Sequence, residues 1–229
     1  MTTADTVKSA LLPGIGRPMR IGPRHAVILQ VDGALSAVNG LGWLMEQRTG
    51  ATGRRVAELV EVAREEGWSP LELGRARLSC LRPRRAEVQA LGRAYLAAMA
   101  PGAVDAAHRI RRTGASLELA GEIAAESLLP IAVALGVVPH ALHAPQLRFD
   151  VLGAYVGYDV GGRLAAPPAG GAAGRDESDR IVVGLSMPAE LMTRPADRFV
   201  RFTGFVAHEG PANGPVVNSF AELAEHLVA

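Results

Sequence analysis

An α/β fold with a doubly wound parallel sheet and one inserted block of helices is what this 229-residue chain predicts. Three observations carry that reading. Ala26-Val27-Ile28-Leu29-Gln30-Val31 is a continuous, β-branched apolar run, the pattern of a strand buried on both faces. Ile181-Val182-Val183-Gly184 repeats the pattern in the second half of the chain. Between them, from Leu35 to about Arg112, apolar residues recur at helical spacing.

The elements follow in order. Met1 to Arg24 holds two short apolar patches broken by Pro13, Gly14, Gly16 and Pro18, which makes it a loose leader and not a signal peptide. The first strand enters after Pro23 and closes at Asp32-Gly33. Val56, Leu59, Val60 and Ala63 mark one helix face, with Glu58, Glu61, Arg64 and Glu65 opposite. Ser69-Pro70 starts a second helix and Pro83 a third, which ends near Pro101-Gly102. A short strand at Ser116 to Ala120, a helix from about Glu122 to Leu135 and a hairpin around Leu152-Gly153 come next. Residues 161 to 179, rich in Gly, Ala and Pro, read as a flexible loop. A strand at Arg198 to Phe202 and a helix from Ser219 to Val228 close the chain. The domains expected are a leader (1–24), a Rossmann-like core (25–34 and 113–229) and a helical cap (35–112) over the carboxyl edge, where such sheets bind ligands.

Composition narrows the function. Lys+Arg 24 against Asp+Glu 23 gives a net charge of +1, which argues against a nucleic-acid partner. Cys80 stands alone, so no intramolecular disulfide forms, and a reducing cytoplasm is the expected home. Apolar runs stop short of the roughly 18 residues of a membrane span, so no membrane partner is expected either. Neither a G-x-G-x-x-G nor a P-loop motif is present, and no G-x-S-x-G elbow supplies a serine nucleophile.

A strand followed by Gln30-Val31-Asp32-Gly33-Ala34-Leu35 and a helical insertion resembles the haloacid dehalogenase superfamily, whose first motif is D-x-D-G-T-L. Pro101-Gly102, Leu135-Gly136-Val137, Gly153-Ala154-Tyr155-Val156-Gly157 and Val183-Gly184-Leu185-Ser186 are similar in order and spacing to its phosphoserine-phosphatase-like subclass. That resemblance implies a Rossmann-like core with a cap and a magnesium-dependent phosphatase. Its chemistry needs a carboxylate nucleophile, a second acid two residues on, a Ser/Thr and a Lys for the phosphoryl oxygens, and further carboxylates for the metal.

Against that pattern the chain departs at nearly every position. Gln30 stands at the nucleophile, and a neutral amide forms no aspartyl-phosphate. The Ser/Thr position falls on or near Gly121. Lys8, the only lysine, precedes the first motif, so an arginine such as Arg163, Arg175 or Arg180 would have to replace the phosphate-binding lysine. Leu185 and Ala189 stand where the last aspartates belong, leaving Ser186 and Glu190. The subclass's substrate-amine acid falls near Asn39. No cofactor is therefore expected, the magnesium site being lost.

Asp32 is the retained acid. It reads either as an acid or base at the sheet edge or as the cap of its own turn. With Gln30, it is the candidate catalytic pair; Gly33, Asn39, Gly121, Gly184, Ser186 and Arg75 are the candidate substrate contacts, with Arg75 representing the cap arginines. His140 and His143 read as a solvated loop pair, and His25 and His226 as structural. The expected function is a repurposed, metal-independent enzyme acting on a small organic molecule between core and cap. A non-catalytic pseudoenzyme binding a ligand or partner protein stands second, and a residual phosphatase third.

Overall fold

The apolar run at the first motif is buried because strands flank it on both sides. The computed structural model describes residues 18–48, 50–159, 179–185, 197–206 and 214–228. Strand β1 (His25–Gln30) runs parallel to β2 (Ser116–Ala120) on one side and to β6 (Asp179–Gly184) on the other. With β3 (Leu142–His143), β7 (Arg198–Phe202) and β8 (Val216–Val217) they form a six-stranded parallel sheet of order β3-β2-β1-β6-β7-β8. β1 is central, and its carboxyl end lies where the strand order reverses, the place such sheets bind ligands. The predicted α/β class and parallel sheet are the observed ones.

Four helices follow β1: α1 (Gly40–Glu46), α2 (Gly50–Glu66), α3 (Pro70–Leu81) and α4 (Arg85–Ala97). Ser69 caps α3 with a reciprocal hydrogen-bond pair to Glu72, as the Ser-Pro start predicts. Helix α5 (Ala103–Arg112) packs against β2 and the terminal helix α7 (Phe220–Val228), and α4 packs along α6 (Ala125–Leu135). The antiparallel hairpin β4 (Gln146–Phe149) and β5 (Tyr155–Asp159) turns at Leu152-Gly153. Arg75 of α3 donates to the Tyr158 hydroxyl at 3.0 Å, and Arg85 lies over the Phe149 ring.

Two details differ from the sequence reading. Helix α6 starts at Ala125, not near Glu122, because Ala124 is fully extended (φ −158°, ψ 140°) and the Glu122 N–H is directed to Asp32. His143 is not solvated: it is buried at the end of β3, and its Nε2 meets Glu118 Oε2 at 2.5 Å. His140 does remain exposed. The predicted loop at 161 to 179 lies outside the described residues save for Asp179, which opens β6. No described helix is long and apolar enough to cross a membrane.

Candidate functional site at the carboxyl edge of the sheet

The chain leaves β1 through a tight turn. The Leu35 N–H donates to the Gln30 carbonyl at 3.0 Å and the Ser36 N–H to the Val31 carbonyl at 2.9 Å. Gly33 holds a left-handed conformation (φ +72°), and a Cβ there would lie 3.3 Å from the Leu185 side chain. This turn presents Asp32 beyond the strand and leaves Gln30 as the last strand residue.

Asp32 joins three separate elements. Its Oδ1 accepts from the Gly40 N–H at 2.7 Å and from the Tyr95 hydroxyl at 2.6 Å; its Oδ2 accepts a longer bond, 3.4 Å, from the Glu122 N–H. The carboxylate thus touches the first residue of α1, the buried face of α4 and the loop after β2. Gly40 is a steric requirement here, since a Cβ would come within 2.0 Å of the Tyr95 hydroxyl oxygen. Desolvation raises the Asp32 carboxyl above its ordinary 3.8, against the opposing hydrogen bonds from Tyr95, Gly40 and Glu122. Burial, then the adjacent Asp32 charge, holds the Tyr95 hydroxyl well above 10.0, so Tyr95 keeps its proton and donates.

Gln30 reaches the other way. A Cβ built on Gly184 would fall 1.6 Å from Gln30 Oε1, so the amide lies over the backbone of β6. The candidate pair is therefore divided, with Asp32 on the β2 side of the turn and Gln30 on the β6 side.

Comparison with known proteins adds the fold. No family model matches the chain, and no curated protein matches it. Among solved structures, a phosphoserine phosphohydrolase-like protein from Francisella tularensis superimposes with a TM-score of 0.68 at 15% identity, over 88% of this chain and 98% of that one. Phosphoserine phosphatase from T. onnurineus gives 0.59 at 17% identity over 96% and 98%. A substrate-bound phosphoserine phosphatase complex gives 0.59 at 13% identity over 89% and 98%. The fold is the one these phosphoserine phosphatase-like structures share.

Within this fold, the candidate residues fall into distinct places. Asp32, Gln30, Gly33 and Gly184 share the edge around the β1 turn, with Leu185 packed on Gly33. The Gly121 N–H is taken by the His143 carbonyl at 3.0 Å, and a Cβ there would lie 2.8 Å from Leu128, so packing also favours the glycine. Exposed Asn39 caps α1, its Oδ1 accepting from the Gly42 N–H at 2.7 Å. Arg75 is engaged with the hairpin through Tyr158. Arg180 grips Asp197 with Nε and Nη2 at the start of β6 and β7. Ser186, Glu190, Arg163 and Arg175 lie outside the described residues. Tyr95 is the residue sequence reasoning missed as a site member, because a tyrosine at helical spacing reads as core; a hydroxyl on that apolar stripe, in need of a buried acceptor, was its one signal.

Among the described residues, the donors at this edge do not make a ligand set for a hard divalent cation. Gln30 offers a neutral amide oxygen and Leu185 an alkyl chain, while Asp32 Oδ1 already accepts two short hydrogen bonds. Among the described residues no group of three His, Cys, Asp or Glu side chains converges as metal ligands.

Proposed function

We propose that this protein is a repurposed haloacid-dehalogenase-fold enzyme, which binds a small organic molecule at the carboxyl edge of the sheet and uses Asp32 as a metal-independent acid or base. The observation that supports this reading is the state of Asp32. Its Oδ1 is fixed by Tyr95 and Gly40, its Oδ2 meets the Glu122 N–H at the longer distance of 3.4 Å, and desolvation raises its proton affinity. A carboxyl oriented through one oxygen and shifted toward neutral pH is suited to moving a proton at the other. Tyr95 acts through Asp32 as a positioning residue, not as a reacting group.

The test has two arms. Phosphate release from a panel of phosphomonoesters is measured with Mg²⁺ and with EDTA; no metal-dependent release is expected, and metal-dependent turnover would return the protein to the residual-phosphatase class. Candidate substrates found by binding are then turned over by wild type and Asp32→Asn. Asn keeps an Oδ1 acceptor for Tyr95 and Gly40 but cannot exchange the proton, so substrate binding is expected to persist while turnover falls by about 100-fold or more. Equal turnover would remove Asp32 from the mechanism.

The pseudoenzyme reading is favoured by one specific feature: the same three hydrogen bonds tie α1, α4 and the loop after β2 together, which is what a structural clamp does. Under that reading a ligand binds and no turnover is found in either protein.

A further inference from the structure

A single register line crosses five strands at the carboxyl edge. His143 of β3 pairs with Ala120 of β2, Ala120 with Gln30 of β1, and Gly184 of β6 with Arg201 of β7. Leu29 pairs with Val183, which sets Gln30 beside Gly184. Residues in register across a parallel sheet project from the same face, so Gln30 and Arg201 flank Gly184 on one face. One pleat back, Ile28, Val182 and Phe199 make that face apolar.

Arg201 is the anomaly on this face. Its Nε and Nη1 are buried, and among the described residues neither has a hydrogen-bond partner. A guanidinium does not shed its proton at any working pH, so enclosure without an acceptor is costly unless an anion supplies one. Among the described residues the side chains beside it do not. Gly184 has none, and Gln30 is neutral. Glu118, one pleat back, meets His143, while Asp197 meets Arg180 at the opposite end of the strands. Gly184 also leaves the space between Arg201 and β1 without a side chain, and Gln30 Oε1 already leans into it. The backbone spacing of two strands, about 9.6 Å, lies within the combined reach of a glutamine and an arginine.

We infer that Arg201 is an oxyanion receptor that holds a carboxylate or phosphoryl group of the ligand by the paired N–H donors of its guanidinium and without a metal, the Gln30 amide beside it turning its NH2 group to the anion in place of the Oε1 now directed there. The inference rests on the proposed small-molecule site and names the chemical class that site takes: an organic anion. Its charge logic is the reverse of a magnesium phosphatase edge. There carboxylates hold a cation that holds the anion; here a fixed cation from β7 holds the anion directly.

The experiment titrates inorganic phosphate and malonate separately at constant ionic strength, reading Tm and heat of binding on the full chain. At least one of the two is expected to give a saturable rise in Tm; phosphate alone identifies a phosphoryl receptor and malonate alone a carboxylate receptor, either of which supports the inference. Arg201→Gln is expected to weaken that binding by about tenfold or more. Gly184→Ala, which displaces the Gln30 amide, and Gln30→Ala are expected to weaken it severalfold. Arg64→Gln removes an equal charge at an exposed ion pair and is expected to bind as wild type does. No saturable response to either anion, or full-strength binding by Arg201→Gln, would overturn the inference. Should Arg201→Gln fail to fold, Gly184→Ala and Gln30→Ala decide, and wild-type binding by both would overturn it. Whether Asp32 moves a proton is read from turnover and the oxyanion from binding, so failure of one reading is distinguishable from failure of the other.

Discussion

Asp32 meets two opposed demands, and the balance between them is measurable. Desolvation disfavours its charge, while the Tyr95 hydroxyl and the backbone amides of Gly40, Glu122 and Asp32 itself favour it, and desolvation prevails. The carboxyl is therefore harder to ionise in the folded chain than in the unfolded one. Stability associated with the protonated form is fully present below the ordinary value of 3.8 and is lost as pH rises through the raised folded value. Asp32→Asn has no such titration. Its Tm relative to wild type is expected to climb as pH rises from about 4 and to level off once the native carboxyl is ionised. Melting curves across that range check this, and a difference constant with pH would show that the carboxyl titrates alike in both states. The identity of this residue was legible in the sequence, since Asp before Gly at a strand end marks a sheet-edge acid. Its partners were not. Tyr95 stands 63 positions away and meets Asp32 only because α4 packs under the turn.

At the scale of elements, the contact that places α4 there is its packing along α6. Gly92 on α4 is buried, and a Cβ would stand 2.9 Å from the Ser127 carbonyl oxygen and 3.1 Å from the Pro130 ring. Helix propensity alone predicts that Gly92→Ala gains up to about 1 kcal/mol. The close approach reverses the sign: a loss of about 1–3 kcal/mol is expected by denaturant unfolding, from overpacking against a backbone that cannot step aside. A gain would mean that the helices part freely. Most elements were readable from local chemistry, as the Ser69 capping box and the β2 bounds illustrate. The late start of α6 was not, because its cause is Asp32 drawing on the Glu122 N–H from another part of the chain. His143 failed in the same way: Pro-flanked sequence reads as a wet loop, but parallel pairing with β2 sets it against Glu118.

For the whole molecule, the connections between the helices after β1 and the sheet bear on cooperativity. Asp32 links the β1 turn to α1 and α4, α4 lies along α6, and the β4–β5 hairpin meets α3 and α4 through Tyr158, Phe149 and the Gly153 carbonyl. One unfolding transition is expected by calorimetry, with van't Hoff and calorimetric enthalpies in agreement. A separate early transition would show that α1–α4 unfold on their own.

The parallel sheet, the helical insertion and the residue types that stand around the β1 turn were all readable from sequence, because these depend on local hydrophobic pattern and on which side chains exist at all. Lys8 being the only lysine needed no coordinates. Tertiary structure alone decided which polar groups share an environment. It separated Gln30 from Asp32 across one turn, engaged Arg75 with the hairpin and Arg180 with Asp197, and placed Arg201 in register with Gly184, its Nε and Nη1 buried without a partner among the described residues. Burial and hydrogen-bond partnership are properties of the packed chain, and no spacing along the sequence encodes them.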